Sequence, residues 1–297
     1  MAQAWRCAGL RWSADGPVLV WDGGRRSALT WGKRVAFEVA EGGVRTCVGA
    51  RGHPCPTRAA VSARSTGARC EECARLDRAH SVAADTLADD PRPYRVYLAW
   101  FGPGMLKVGI TAEERGSARL LEQGAVCFSW LGIGPLMAAR RTEELLRAAL
   151  GVPDRIPYAD KRAVRARLPG ARAERAAEIT ELHARAVMLG GWPESLTPAP
   201  CRPVDHVDVF GLTGLVTDAG TGSPTTVQVR ELVAGGAVGG RLVAAAGPDL
   251  HLEAAGGVVV LDTRLMTGWE LVPSASGQLS VPVRAFKETA VVQDGLF

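Results

Sequence analysis

The stretch RVYLAWFGPGMLKVGIT, Arg95 to Thr111, constrains the fold of this chain more than any other. Two strand-like apolar runs flank Gly102-Pro103-Gly104, and that composition between such runs reads as a hairpin turn. Side chains alternate along a strand, so Tyr97, Ala99 and Phe101 share one face of the first run. In the second run Leu106, Val108 and Ile110 point one way, and Lys107, Gly109 and Thr111 the other. Glycine inside a strand weakens it and often marks a close approach to the backbone. Beside Lys107, Gly109 suggests a surface where a phosphate could lie against the sheet. A third strand is expected at residues 125–132.

Helical phase then separates two adjacent glutamates. In LMAARRTEELLRAAL, Ala139, Glu143, Leu146 and Leu150 fall on one face, which is apolar apart from Glu143. Glu144 falls with Arg140 and Arg147 on a polar face, where spacings of three and four residues allow pairing. A carboxylate turned inward must be paired, protonated or metal-bound. Hard oxygen ligands suit Mg²⁺. The alternative is an ion pair with a buried arginine, for which Arg119 is placed.

Cys47, Cys55, Cys70 and Cys73 lie just upstream of the hairpin. Cys70-Glu-Glu-Cys73 has the C-x2-C spacing that lets two thiolates converge on one tetrahedral ion at about 2.3 Å. The Cys47–Cys55 spacing is wider, and His53 or His80 could substitute for a thiol. A closed structural zinc site would organise a segment too poor in apolar residues to fold alone. Unligated reduced cysteines are the bland alternative.

The bulk composition is that of a soluble globular protein: 297 residues, 47% hydrophobic, 22% charged, net charge +4. Lysine occurs only at 33, 107, 161 and 287, so the positive charge is mostly arginine, the better phosphate fork. The N-terminus lacks an apolar signal region. No run approaches the ~18 apolar residues of a membrane span. A cytoplasmic location is expected, where clustered cysteines bind metal more often than they form disulfides. No phosphate-loop or nucleophile-elbow motif occurs.

The organisation expected is an α+β fold. A small three-stranded antiparallel sheet with flanking helices stands beside a zinc-ribbon-like segment, with β-rich N- and C-terminal parts. The units run 1–46 (β-rich), 47–93 (zinc-binding), 94–165 (α/β module), 166–205 (helix and linker) and 206–297 (β-rich).

Residues 94–150 resemble the GIY-YIG nuclease module. Val96-Tyr97-Leu98 takes the place of the first motif and Lys107-Val108-Gly109 that of the second. Arg119, or Arg115, stands where the family has a helical arginine, and Glu143 where it has a metal-binding glutamate. The second motif tyrosine is replaced by Lys107, and no motif asparagine follows. The cysteine cluster with VYLA, KVGIT and RLLEQGA also resembles an uncharacterised bacterial family of unknown function. The GIY-YIG resemblance implies Mg²⁺-dependent phosphodiester hydrolysis by Tyr97, Lys107, Arg119 and Glu143. It further implies nucleic-acid contacts at Gly109 and Arg115, and zinc at the four cysteines would be structural. A nucleic-acid-binding module without catalysis is the rival reading.

Overall fold

A computed structural model describes residues 3–13, 15–79, 90–165, 167–214, 226–275 and 278–285. Four strands open the chain: β1 (Trp5–Ser13), β2 (Gly16–Trp21), β3 (Arg26–Ala28) and β4 (Arg34–Val39). The cysteine-rich segment follows and ends in α1 (Glu71–Ala79). The centre carries β5 (Tyr94–Gly102), β6 (Met105–Ala112), α2 (Ala118–Gln123), β7 (Cys127–Gly134) and α3 (Leu136–Leu150). It continues through α4 (Tyr158–Arg165), α5 (Arg172–Val187), β8 (Thr197–Pro198) and β9 (Val204–Asp205). The last strands are β10 (Thr226–Val229), β11 (Ala237–Ala246), β12 (Asp249–Ala254), β13 (Gly257–Asp262), β14 (Glu270–Pro273) and β15 (Val283–Ala285).

Two sheets overturn the expected fold class. The larger has ten strands in the order β15-β10-β13-β12-β11-β4-β14-β1-β2-β3. It is mixed, because β10 runs parallel to β13 while its other pairings are antiparallel. The smaller has five strands, β6-β5-β7-β8 with β9 also on β7. The anticipated three-stranded unit is therefore only part of the smaller sheet, and most of the β structure lies elsewhere. The physical reason is long-range pairing. β4 inserts between β11 and β14, and β1 pairs with β14, so the two ends of the chain share one sheet.

Every residue from Val96 to Phe101 is buried. Val96 and Leu98 pack with Ala139 and Leu146 of α3 and Leu182 and Ala186 of α5. Tyr97, Ala99 and Phe101 pack with Leu120 of α2 on the opposite face. A strand covered on both sides reads as a continuous apolar run, which explains VYLAWF. Helix α2 lies between the sheets: Leu120 joins that small cluster, while Leu121 joins Trp12, Leu242 and Leu250 in the main core.

Helix α4 fastens the central module to the larger sheet. Asp249 and Asp262 face each other across β12 and β13. Arg162 Nε donates to both Asp249 oxygens, at 2.9 and 2.8 Å, and its Nη2 donates to Asp262. Arg165 Nη1 adds a bond to Asp249 at 3.1 Å, and Arg264 grips Asp262 at 2.9 and 2.6 Å. Both carboxylates are buried, so pairing is what makes their charge tolerable there.

Candidate functional site

Strand β6 is the outer strand of the smaller sheet, and a cavity of about 450 Å³ lies against it. Its lining brings together Tyr97 from β5, Lys107 and Gly109 from β6, Arg119 from α2 and Glu143 from α3. Arg140, Glu144 and Arg147 of α3, with Asp154 and Arg155 of the following loop, also face it. Arg115 does not line the cavity; it pairs with Glu122 at 2.7 Å.

The hairpin register explains the glycine. Tyr97 pairs with Gly109 across β5 and β6. A Cβ at position 109 would stand 2.4 Å from the phenol oxygen. The group that approaches the backbone here is thus the tyrosine itself. Its ring packs edge-on against Trp130, with centroids 6.4 Å apart. Its hydroxyl accepts a bond of 2.8 Å from Gln123 Nε2. Burial pushes the phenol pKa up; the Gln123 bond and the Arg119 charge pull against this, while Glu143 adds to it.

Lys107 pairs with Ala99 in the same register, so it shares the tyrosine's face two residues from Gly109. Its ammonium donates to the Asp154 carbonyl at 2.5 Å. The segment carrying Asp154 follows the edge of β6, where Val108 N–H donates to the Pro153 carbonyl at 3.1 Å. Burial drives the Lys107 pKa down to about 8, with Arg119 adding to the shift and Glu143 and Asp154 opposing it.

Glu143 is half-buried, whereas Glu144 is exposed and accepts from Arg147 Nη2 at 2.5 Å. Burial raises the Glu143 pKa and Asp154 reinforces the rise, against Lys107, Arg147 and Arg140. Arg119 has its ion-pair partner at Glu122, 4.0 Å away within α2. The alternative of an Arg119–Glu143 pair is therefore not the arrangement found. The cavity presents five basic side chains against three carboxylates, a balance suited to an anion.

Gln123 is a site residue that sequence reasoning missed. It is buried at the last position of α2, where Gly124 takes the left-handed conformation and ends the helix. The available signal was positional: a polar residue beside a C-terminal glycine, one helical turn after Arg119.

The second centre is the cysteine cluster. The Sγ atoms of Cys47, Cys55, Cys70 and Cys73 all lie within 4.8 Å of one another. Cys55 and Cys70 Sγ are 4.0 Å apart. A tetrahedral ion with ~2.3 Å bonds to sulfur needs its ligands about 3.8 Å apart, so a small contraction closes the site. The N–H groups of Gly49 and Cys70 donate to Cys47 Sγ at 3.3 and 3.2 Å. The Thr57 hydroxyl, helped by backbone bonds, holds the Cys55 pKa down to about 6. Burial and the neighbouring thiols push Cys73 up to about 12. Four sulfurs in this arrangement could hold a metal ion. His53 is exposed and outside the cluster, and His80 lies outside the described residues. Buried Arg45 ties the segment down by donating to the carbonyls of Ser62, Ser65, Arg264 and Thr267. Among the described residues no helix is long and apolar enough to cross a membrane.

The fold and sites define a two-sheet protein with a four-thiol cluster and a basic cavity at a sheet edge. The chain belongs to a family described as protein of unknown function (DUF2797), whose model matches residues 32–271. No curated protein and no solved structure matches it.

Proposed function

We propose that the edge cavity hydrolyses phosphodiesters of nucleic acid and that the four cysteines hold a structural zinc ion. The observation that carries the reading is the convergence of Tyr97, Lys107, Arg119 and Glu143 on one cavity. These residues occupy the positions that resemble the GIY-YIG nuclease motifs. The phenol oxygen already accepts from Gln123, which leaves its own O–H free to orient water beside a bound phosphate. Arg119 supplies a permanent positive charge for the phosphate as negative charge builds on it. Lys107 adds a second positive group, held in place by the Asp154 carbonyl.

Glu143 and Asp154 offer oxygen donors in the cavity, which fits Mg²⁺, an ion commonly held by one or two carboxylates plus substrate phosphates. When bound, Mg²⁺ would neutralise charge on the phosphate. The all-sulfur donor set of the second centre, four cysteines with no carboxylate among them, fits a structural zinc ion.

Cleavage of plasmid DNA and of mixed RNA in the presence of Mg²⁺ tests the reading. Cleavage should be lost in Glu143→Ala. The non-catalytic alternative draws on Lys107, which stands where the resembled motif has a tyrosine. Salt-dependent binding with no cleavage under any divalent metal would establish that alternative instead.

A further inference from the structure

We infer that the cavity engages an extended nucleic-acid strand at more than one phosphate, with a flanking-phosphate subsite formed by Arg140, Arg147 and Arg155. This rests on the reading of the cavity as a phosphodiester site. None of the three arginines is needed at the reacting phosphate, which Tyr97, Lys107, Arg119 and Glu143 surround. They nevertheless line the same cavity.

Their spacing along the helix carries the argument. Arg140 and Arg147 are seven residues apart on α3, hence about 10.5 Å along its axis, with Glu143 between them. With their bases that far apart, each guanidinium can take its own phosphate. One strand of a duplex presents a charge about every 3.4 Å of axis, so the span corresponds to about three phosphate steps. Arg155 projects from the loop beside the β6 edge, and its side chain is 84% exposed. Among the described residues its ion-pair partner is Asp154 at 3.9 Å, too distant for a strong hydrogen-bonded pair. A substrate with one isolated phosphate would leave this rim unused.

Glu144 gives the subsite its own regulator. It faces the cavity and holds the Arg147 guanidinium at 2.5 Å. An incoming phosphate must draw Arg147 from that carboxylate or share it. Both side chains are more than half exposed, so the pair is weak and readily exchanged.

The test is fluorescence anisotropy of the full chain with labelled single-stranded and duplex DNA, in EDTA, across a salt series. Arg147→Ala and Arg155→Ala should each weaken binding about 3- to 10-fold and flatten the salt slope by about one. Arg147→Lys should retain most of the affinity. Glu144→Gln should tighten binding by up to about fivefold, the effect of releasing a surface ion pair. Unchanged affinity and slope in both arginine variants would overturn the subsite, and so would absence of salt-dependent binding by the parent protein. If the parent cleaves while the rim variants bind normally, the subsite fails and the hydrolytic reading stands. If the rim variants weaken binding but no cleavage is found, the hydrolytic reading fails and the subsite stands.

Discussion

The phenol of Tyr97 lies across Gly109, its antiparallel partner, so closely that a Cβ there would stand 2.4 Å from the hydroxyl oxygen. The two positions act as one unit: the absent side chain provides the space that the ring fills. Gly109→Ala should therefore push Tyr97 out of its contact with Trp130 and Gln123. Overpacking of this kind costs about 1–3 kcal/mol. Thermal melting should show that loss, and anisotropy with DNA should show weaker binding at the cavity. A variant with parental melting and binding would mean that the ring moves aside freely.

One zinc per chain is expected at Cys47, Cys55, Cys70 and Cys73. Metal analysis of protein purified without added zinc should return close to one equivalent. Cys70→Ser should lose the metal and expose the segment to proteolysis, because metal-binding energy is folding energy in such a segment. Ligation by thiolates releases protons, so affinity should fall as pH falls. Metal-free protein with unchanged melting would remove the site from consideration.

The central hairpin and the cysteine cluster were legible because both are local. The Gly102-Pro103-Gly104 turn fixes the pairing of β5 with β6, and C-x2-C brings two thiols together within a turn of chain. The ten-stranded sheet was not legible, since nothing in RVAFEV of β4 names β11 or β14 as its neighbours. Helix α4 was missed for another reason. YADKRAVR reads as a polar surface segment, yet Lys161, Arg162 and Arg165 are buried. Their burial is made possible by Asp249, Asp262 and the ring of Phe101, all remote in sequence, together with the ring of Tyr158 within α4 itself.

Asp249→Ala should be strongly destabilising. It would leave Arg162 and Arg165 short of a partner in a site without water access, and breaking a buried pair in this way costs about 3–5 kcal/mol. Replacing Arg162 and Asp249 together with Met and Leu should cost less than Asp249→Ala alone, since no charge on that pair is then stranded. Denaturant melts of the three proteins decide it. Equal loss in the single and double variants would show that packing, rather than charge, dominates at this joint.

Acid sensitivity is expected at His251. Its Nε2 is buried with no hydrogen-bond partner among the described residues. Burial first, then the charges of Arg165 and Arg162, lowers its pKa from 6.5 to about 3. The unfolded chain therefore binds this proton more readily than the fold does. Stability from keeping His251 neutral is complete above about 6.5 and is lost as pH falls toward about 3. His251→Asn should flatten that part of the stability profile, read as melting temperature against pH. An unchanged slope would assign the acid loss to other groups.

Gln123 should control the ionisation of Tyr97. Its amide donates to the phenol oxygen at 2.8 Å, a bond that favours the ionised form and opposes the effect of burial. Gln123→Leu keeps the volume but removes the donor, so the Tyr97 pKa should move further up. The chain has only three tyrosines, so ultraviolet titration can resolve one of them. The Tyr97→Phe difference spectrum then identifies which step belongs to residue 97. If Tyr97 takes part in proton transfer, Tyr97→Phe should lower cleavage about 10²- to 10⁴-fold, the usual contribution of a positioned acid or base. Gln123→Leu should then shift the pH–rate profile in the same direction as the titration. A profile that moves without the titration would place Gln123 on the substrate rather than on Tyr97, and a titration that moves without the profile would remove the phenol from the proton transfer.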